Sequence, residues 1–138
     1  MAKNAKLIIQ TPKGCIVQVA TKNGSVKARL KWNQGFGQKW TKKLMGAQEY
    51  VDLSVLRYSD KYTPKRTGVL IASGMLGTTI GSGLVRYVAP YARRLYYNPQ
   101  YRFGGAPQRG AKWFERMKIN HKAAILRGAA KIAGGRAK

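Results

Sequence analysis

Acidic residues are nearly missing from this chain. Only 4 of its 138 residues are Asp or Glu, against 27 Lys and Arg, so the formal net charge is +23. A free-standing soluble enzyme rarely carries so one-sided a balance, which calls instead for a polyanionic neighbour: nucleic acid, an acidic protein surface or an anionic membrane. The shortage also leaves little for catalysis. Glu49, Asp52, Asp60 and Glu115 are the whole set, and only the first two can share a helix face. They read as partners of nearby Lys or Arg, or as contacts between subunits. Cysteine and histidine are equally scarce. A single Cys15 excludes an intrachain disulfide and a cysteine-rich zinc site, and His121 has no second imidazole to help it hold a metal, so it reads as a packed or hydrogen-bonded side chain. No catalytic residue, cofactor or metal ion is expected.

Long apolar runs are missing too. Residues 67–85 are free of charge, yet Gly68, Gly74, Gly77, Gly81 and Gly83 lower both helix propensity and hydrophobicity there, so no membrane span is expected. Leu7, Ile8 and Ile9 make too short a run for a secretion signal, which implies synthesis in the cytoplasm. The hydrophobic share of 44% and the length suit one domain, residues 1–138, with flexible tails at 1–6 and 134–138.

What is present reads as an α+β chain. Residues 7–11 and 16–21 flank a turn at Pro12, Lys13 and Gly14 and are expected as strands, the second rich in β-branched residues. After a turn at Asn23 and Gly24, Val26, Ala28 and Leu30 alternate with Lys27, Arg29 and Lys31, a strand with one wet basic face. Apolar positions at Phe36, Trp40, Leu44, Ala47, Val51, Val55, Tyr58 and Tyr62 give a long amphipathic helix over 36–62, capped by Asn33. Its wet face carries Lys39, Lys42, Lys43, Glu49, Asp52 and Lys61, and its apolar face is expected to lie on a small, mainly antiparallel sheet. Gly46 suits a close crossing or a bend.

Pro64 ends that helix, Thr67 is a candidate cap for a short turn over 69–72, and Gly74 is a candidate left-handed closure of it. Residues 76–80 and 84–88 then read as a hairpin around Gly81, Ser82 and Gly83. The same three residues have the composition of a phosphate loop, but a strand is expected after them where phosphate binding wants a helix N-terminus. Pro90 opens a helical segment with Tyr91, Leu95, Tyr96 and Tyr97, and 98–108 is a loop. Over 110–132, a C-terminal helix sets Phe114, Met117, His121, Ile125 and Ile132 on one face and Lys112, Arg116, Lys118, Lys122, Arg127 and Lys131 on the other.

Several of these blocks, in one order, carry a resemblance. Thr63, Pro64, Thr67, Gly68 and Leu70 come first, then the glycine-rich turn, then Tyr87, Ala89, Pro90, Tyr91, Ala92 and Arg93. Trp32, Asn33, Gly35 and Phe36, then Ala47, Gln48, Val51, Asp52, Val55, Leu56 and Arg57, and the run from Trp113 through Glu115 to Lys118 agree as well. The pattern resembles the minor capsid proteins of tailed bacteriophages and, more distantly, the neck and tail-completion proteins that join head to tail. The resemblance spans about residues 6–135. It implies a virion protein with no enzymatic activity, assembled as a homo-oligomeric ring at the portal vertex. Its partners would be portal, head-closure and tail-tube or tail-terminator proteins, with double-stranded DNA passing through the channel. One departure is the charge, which is high for a ring subunit alone.

Two surfaces follow as candidates. Tyr87, Pro90, Tyr91, Arg93, Arg94, Tyr96 and Tyr97 form an aromatic and arginine cluster suited to a subunit interface, although the same composition serves stacking on nucleic acid. Lys112, Arg116, Lys122 and Arg127 form a basic face for DNA in the channel or for an acidic partner. The rival reading is a free, sequence-independent DNA-binding protein, for which the chain lacks a helix-turn-helix, zinc-finger or ribonucleoprotein signature.

Overall fold

The computed structural model describes residues 8–11, 13–14, 16–104 and 106–135. Along them run β1 (Ile16–Thr21), β2 (Gly24–Arg29), α1 (Phe36–Asp60), α2 (Val69–Gly77), α3 (Ala92–Tyr97) and α4 (Trp113–Ala133). The class is α+β: a two-stranded antiparallel sheet, a long helix and a C-terminal helix. Residues 8–11 form no strand, while Leu7 and Pro12 lie outside the described residues. The same holds for the tail expected at 1–6 and for residues 136–138 of the tail expected at 134–138. Gly134, expected in the second tail, instead caps α4 at φ 85°, its N–H directed at the carbonyls of Ala130 and Lys131.

Gly35, at φ 74°, is the residue before α1 that takes the left-handed turn; Asn33 contributes only its carbonyl, which accepts the Phe36 N–H at 3.1 Å. The segments that flank the sheet reach the first turns of α1. There the Trp32 ring, just past β2, lies 5.0 Å from Phe36, and Ile9 donates its N–H to Thr41 Oγ1 at 2.8 Å. The main cover of α1 is α4, which runs antiparallel to it: Gly46 meets Ile132, Tyr50 meets Gly128, Tyr58 stacks on His121 at 4.4 Å, and Tyr62 accepts from Asn120 at 3.0 Å. Small residues let the axes close up at this seam, since a side chain at Gly128 would run into the Tyr50 ring.

The buried stripe of α1 is rotated from the one its apolar spacing predicts. Ala47, Asp52, Ser54, Leu56 and Ser59 are buried, whereas Val51, Val55 and Leu44 are half-buried and Leu53 is 47% exposed. Half-burial bounds a first prediction. Replacing Leu44 with Ala should cost about 1–2 kcal/mol, below the roughly 2–5 kcal/mol of a fully buried Leu, as read from a urea midpoint. A shift in the upper range would place Leu44 in the core.

A second departure concerns 69–88. The hairpin expected there does not form; α2 continues through Leu76 to Gly77, and residues 78–88 are a loop. Gly74, read as a closing residue, sits buried inside α2. A Cβ there would come within 2.8 Å of the Tyr87 ring and 3.1 Å of Leu56, so its missing side chain admits the long-range packing that keeps the helix going. Gly68, at φ 87°, precedes α2 in place of the expected Thr67 cap. The loop is then held by side chains instead of a ladder, Thr78 Oγ1 accepting the Arg86 N–H at 3.0 Å. α3 begins at Ala92, two residues after Pro90.

Candidate assembly surface and nucleic-acid interface

Asp52 is the anchor of the region. Placed by sequence on the wet face of α1, it is 1% exposed. Its Oδ2 accepts the N–H groups of Gly81 at 2.8 Å and Gly83 at 3.1 Å, and its Oδ1 accepts from Gln48 Nε2 at 2.9 Å. Gly81 (φ 93°) and Gly83 (φ 78°) make the expected turn, whose two N–H groups converge on this one carboxylate. The aspartate therefore acts as an internal ligand for the turn. Neither Glu49 nor Asp52 pairs with a cation among the described residues, where the ion pairs are Arg109–Asp60 at 3.6 Å and Lys118–Glu115 at 3.5 Å.

Beside the turn lies an aromatic core. Leu70, Ala92 and Trp113 are buried together, with Tyr62, Tyr87, Tyr91, Leu95 and Tyr96 packed around them. Trp113 meets Tyr87 and Tyr96 edge-on, at 5.5 Å and 4.8 Å. Sequence reasoning put Phe114 on the apolar face and passed over Trp113; the structure buries the tryptophan to 2% and leaves Phe114 37% exposed. Burial raises the pKa of Tyr87, with the Thr63 hydroxyl opposing it in part, and burial with the Glu115 charge raises that of Tyr96.

The interface candidates accordingly divide in two. Tyr87, Tyr91 and Tyr96 are largely engaged in the chain's own core, while Pro90, Arg93, Arg94 and Tyr97 are exposed. Between α1, the 83–87 loop, α3 and the start of α4 opens a cavity of about 620 Å³, lined by Val51, Val55, Tyr96, Tyr97 and Phe114 among others, with Arg93 at its edge.

The basic candidates divide as well. Lys112, Lys122 and Arg127 are exposed, but the Arg116 guanidinium turns inward, donating to the carbonyls of Ala111 at 3.0 Å, Gln108 at 2.5 Å and Tyr62 at 3.2 Å and lying over the Tyr62 ring. Arg109 does similar work on the carbonyls of Asp60 and Thr63. Arg109, and Arg116 through Tyr62, tie the backbone at and just past the end of α1 to the segment that leads into α4. No spacing rule marks these contacts, because those carbonyls lie about 50 residues away in the chain, whereas Ala111 and Gln108 are local to Arg116. Lys112 holds a positive φ of 49° before α4 and donates its N–H to the Tyr96 carbonyl at 3.1 Å.

The hairpin is uncovered. The strands pair Val17 with Ala28 and Val19 with Val26 on one face, and Ile16 with Arg29, Gln18 with Lys27 and Ala20 with Ser25 on the other. The basic alternation of β2 is as expected, but all residues of both strands are exposed, Val17, Val19 and Val26 at 52%, 54% and 71%. One face is apolar and bare; the opposite face is cationic.

Together these features define a small basic α+β protein whose carboxylate is spent on its own scaffold and whose conspicuous surfaces are an uncovered arm and an aromatic-arginine edge. No protein-family model, curated protein or solved structure matches the chain. Among the described residues, no helix is long and apolar enough to cross a membrane.

Proposed function

We propose that this chain is a structural subunit of a tailed-phage virion, a minor capsid or neck (tail-completion) protein. Subunits assemble in a ring that joins head to tail around the DNA channel, and the role is non-enzymatic. The observation that carries the assembly reading is the bare apolar face of β1 and β2. Burying a valine stabilises by roughly 1.5–3 kcal/mol, and none of Val17, Val19 and Val26 gains it fully inside its own chain. Such an arm gains its stabilisation from a neighbour. Exposed Tyr97, Arg93 and Arg94 add the residue types enriched at interfaces. The phage assignment rests on the ordered blocks of the sequence resemblance.

The rival is a free DNA-binding protein, favoured by the +23 charge. Phage carrying Tyr91→Ala with Arg94→Ala should yield filled heads and separate tails in electron micrographs. Because Tyr91 packs on the core, a second variant, Val17→Thr with Val19→Thr and Val26→Thr, tests assembly without touching it. Infectious particles at wild-type yield from both variants would overturn the ring reading.

A further inference from the structure

We infer that the cationic face of the β1–β2 hairpin is the arm by which this protein grips the phosphate backbone of duplex DNA. The inference deepens the ring reading, on which the passage of a duplex past the protein rests, and it moves the contact away from the C-terminal helix, where sequence alone placed it.

Three observations favour the hairpin. First, no acidic residue precedes Glu49, so the arm carries cations with no carboxylate in its own segment to compensate them. Second, pairing sets Lys27 and Arg29 on one face, Lys22 lies in the turn at the tip and Lys31 follows the end of β2; all four are exposed. Alternate strand residues advance about 7 Å, so the cations repeat at a regular spacing along the arm. Third, a two-stranded ribbon is an element that the major groove admits, and this one is free of its own core on both faces.

On α4 the cations are partly spent within the chain: Arg116 is bound to three backbone carbonyls and Lys118 faces Glu115, while Lys112, Lys122, Arg127 and Lys131 are exposed. The two faces of the hairpin thus divide the work: valines toward a neighbouring subunit, lysines and arginine toward the duplex. Lysine binds phosphate as a point charge, so the grip is sequence-independent and easily exchanged, as a sliding duplex requires.

The test uses the full chain and a fluorescein-labelled, mixed-sequence duplex, titrated by anisotropy at about 50 and 200 mM salt. Lys22→Gln with Lys27→Gln and Arg29→Gln should weaken binding at least about tenfold at low salt and reduce the slope of log affinity against log salt by about 2–3. Lys112→Gln with Lys122→Gln and Arg127→Gln should change both far less, and Val17→Thr with Val19→Thr and Val26→Thr should leave both unchanged. A larger loss from the α4 variant, equal losses from the two charge variants, or no binding by the wild type would each overturn the arm. So would polyglutamate binding as tight as the duplex, which would assign the face to an acidic protein surface. Loss of duplex binding without loss of head-to-tail joining would sink the ring reading's DNA channel, whereas normal binding by the hairpin charge variant with intact joining would sink the arm alone.

Discussion

Replacing Asp52 with Ala should lower the stability of the chain by roughly 2–4 kcal/mol, read as a fall in urea midpoint at unchanged slope. The size follows from what the substitution strands. Three donors converge on the carboxylate, two of them backbone N–H groups in a turn whose glycines hold left-handed angles. Hydrogen bonds to a charged acceptor contribute about 1.5–3 kcal/mol each, but water can reach the exposed Gly83, so the full sum is not expected. Asp52→Asn separates geometry from charge. An amide oxygen can still accept both glycine N–H groups while its NH2 donates to a turned Gln48 side chain, so the Asn variant should lose about 1 kcal/mol. Equal losses in Ala and Asn would assign the effect to the charge; an unchanged midpoint in Ala would show that the turn stands without its anchor.

The second large effect should come from Trp113→Ala, at about 3–5 kcal/mol. The side chain is 2% exposed and joins α4 to α3 and the 78–88 loop through Tyr96 and Tyr87. Its removal forfeits the transfer term, leaves a cavity that rings on three separate segments cannot easily close, and loses two edge-on pairs of about 0.5–1.5 kcal/mol each. Trp113→Phe should recover part of this, and Phe114→Ala, at an exposed neighbouring position, should cost about 1 kcal/mol or less. Near-ultraviolet circular dichroism should lose intensity in the Trp113→Ala variant while the far-ultraviolet signal persists. A loss smaller than that of Phe114→Ala would return the core face of α4 to the one that spacing alone suggests.

Local chemistry was legible in the sequence. β-Branched residues before Asn23 and Gly24 mark β1, strict alternation after them marks β2 two residues late at each end, and apolar steps of three and four mark α1 from Phe36. The tight turn at Gly81 and Gly83 was legible for the same reason: few residues other than glycine take those backbone angles. His121, expected as a packed or hydrogen-bonded side chain, stacks on Tyr58 and lies 3.3 Å from the Tyr62 hydroxyl.

Tertiary structure alone decided which faces find a partner. Periodicity groups side chains on a face but does not say how far the helix is rotated toward its neighbour, so Asp52 moved inward on α1 and Trp113 displaced Phe114 on α4. It also set α2 against the loop, because Gly74 leaves room for Tyr87 and Leu56, residues well separated from it in the chain. Arg109 reaches the carbonyls of Asp60 and Thr63, and Arg116 that of Tyr62, a match made only when the segment leading into α4 folds back on the end of α1. Alternation determined that the hairpin has an apolar and a basic side; only the packing of the helices, which closes α1 against α4, decided that both sides stay uncovered.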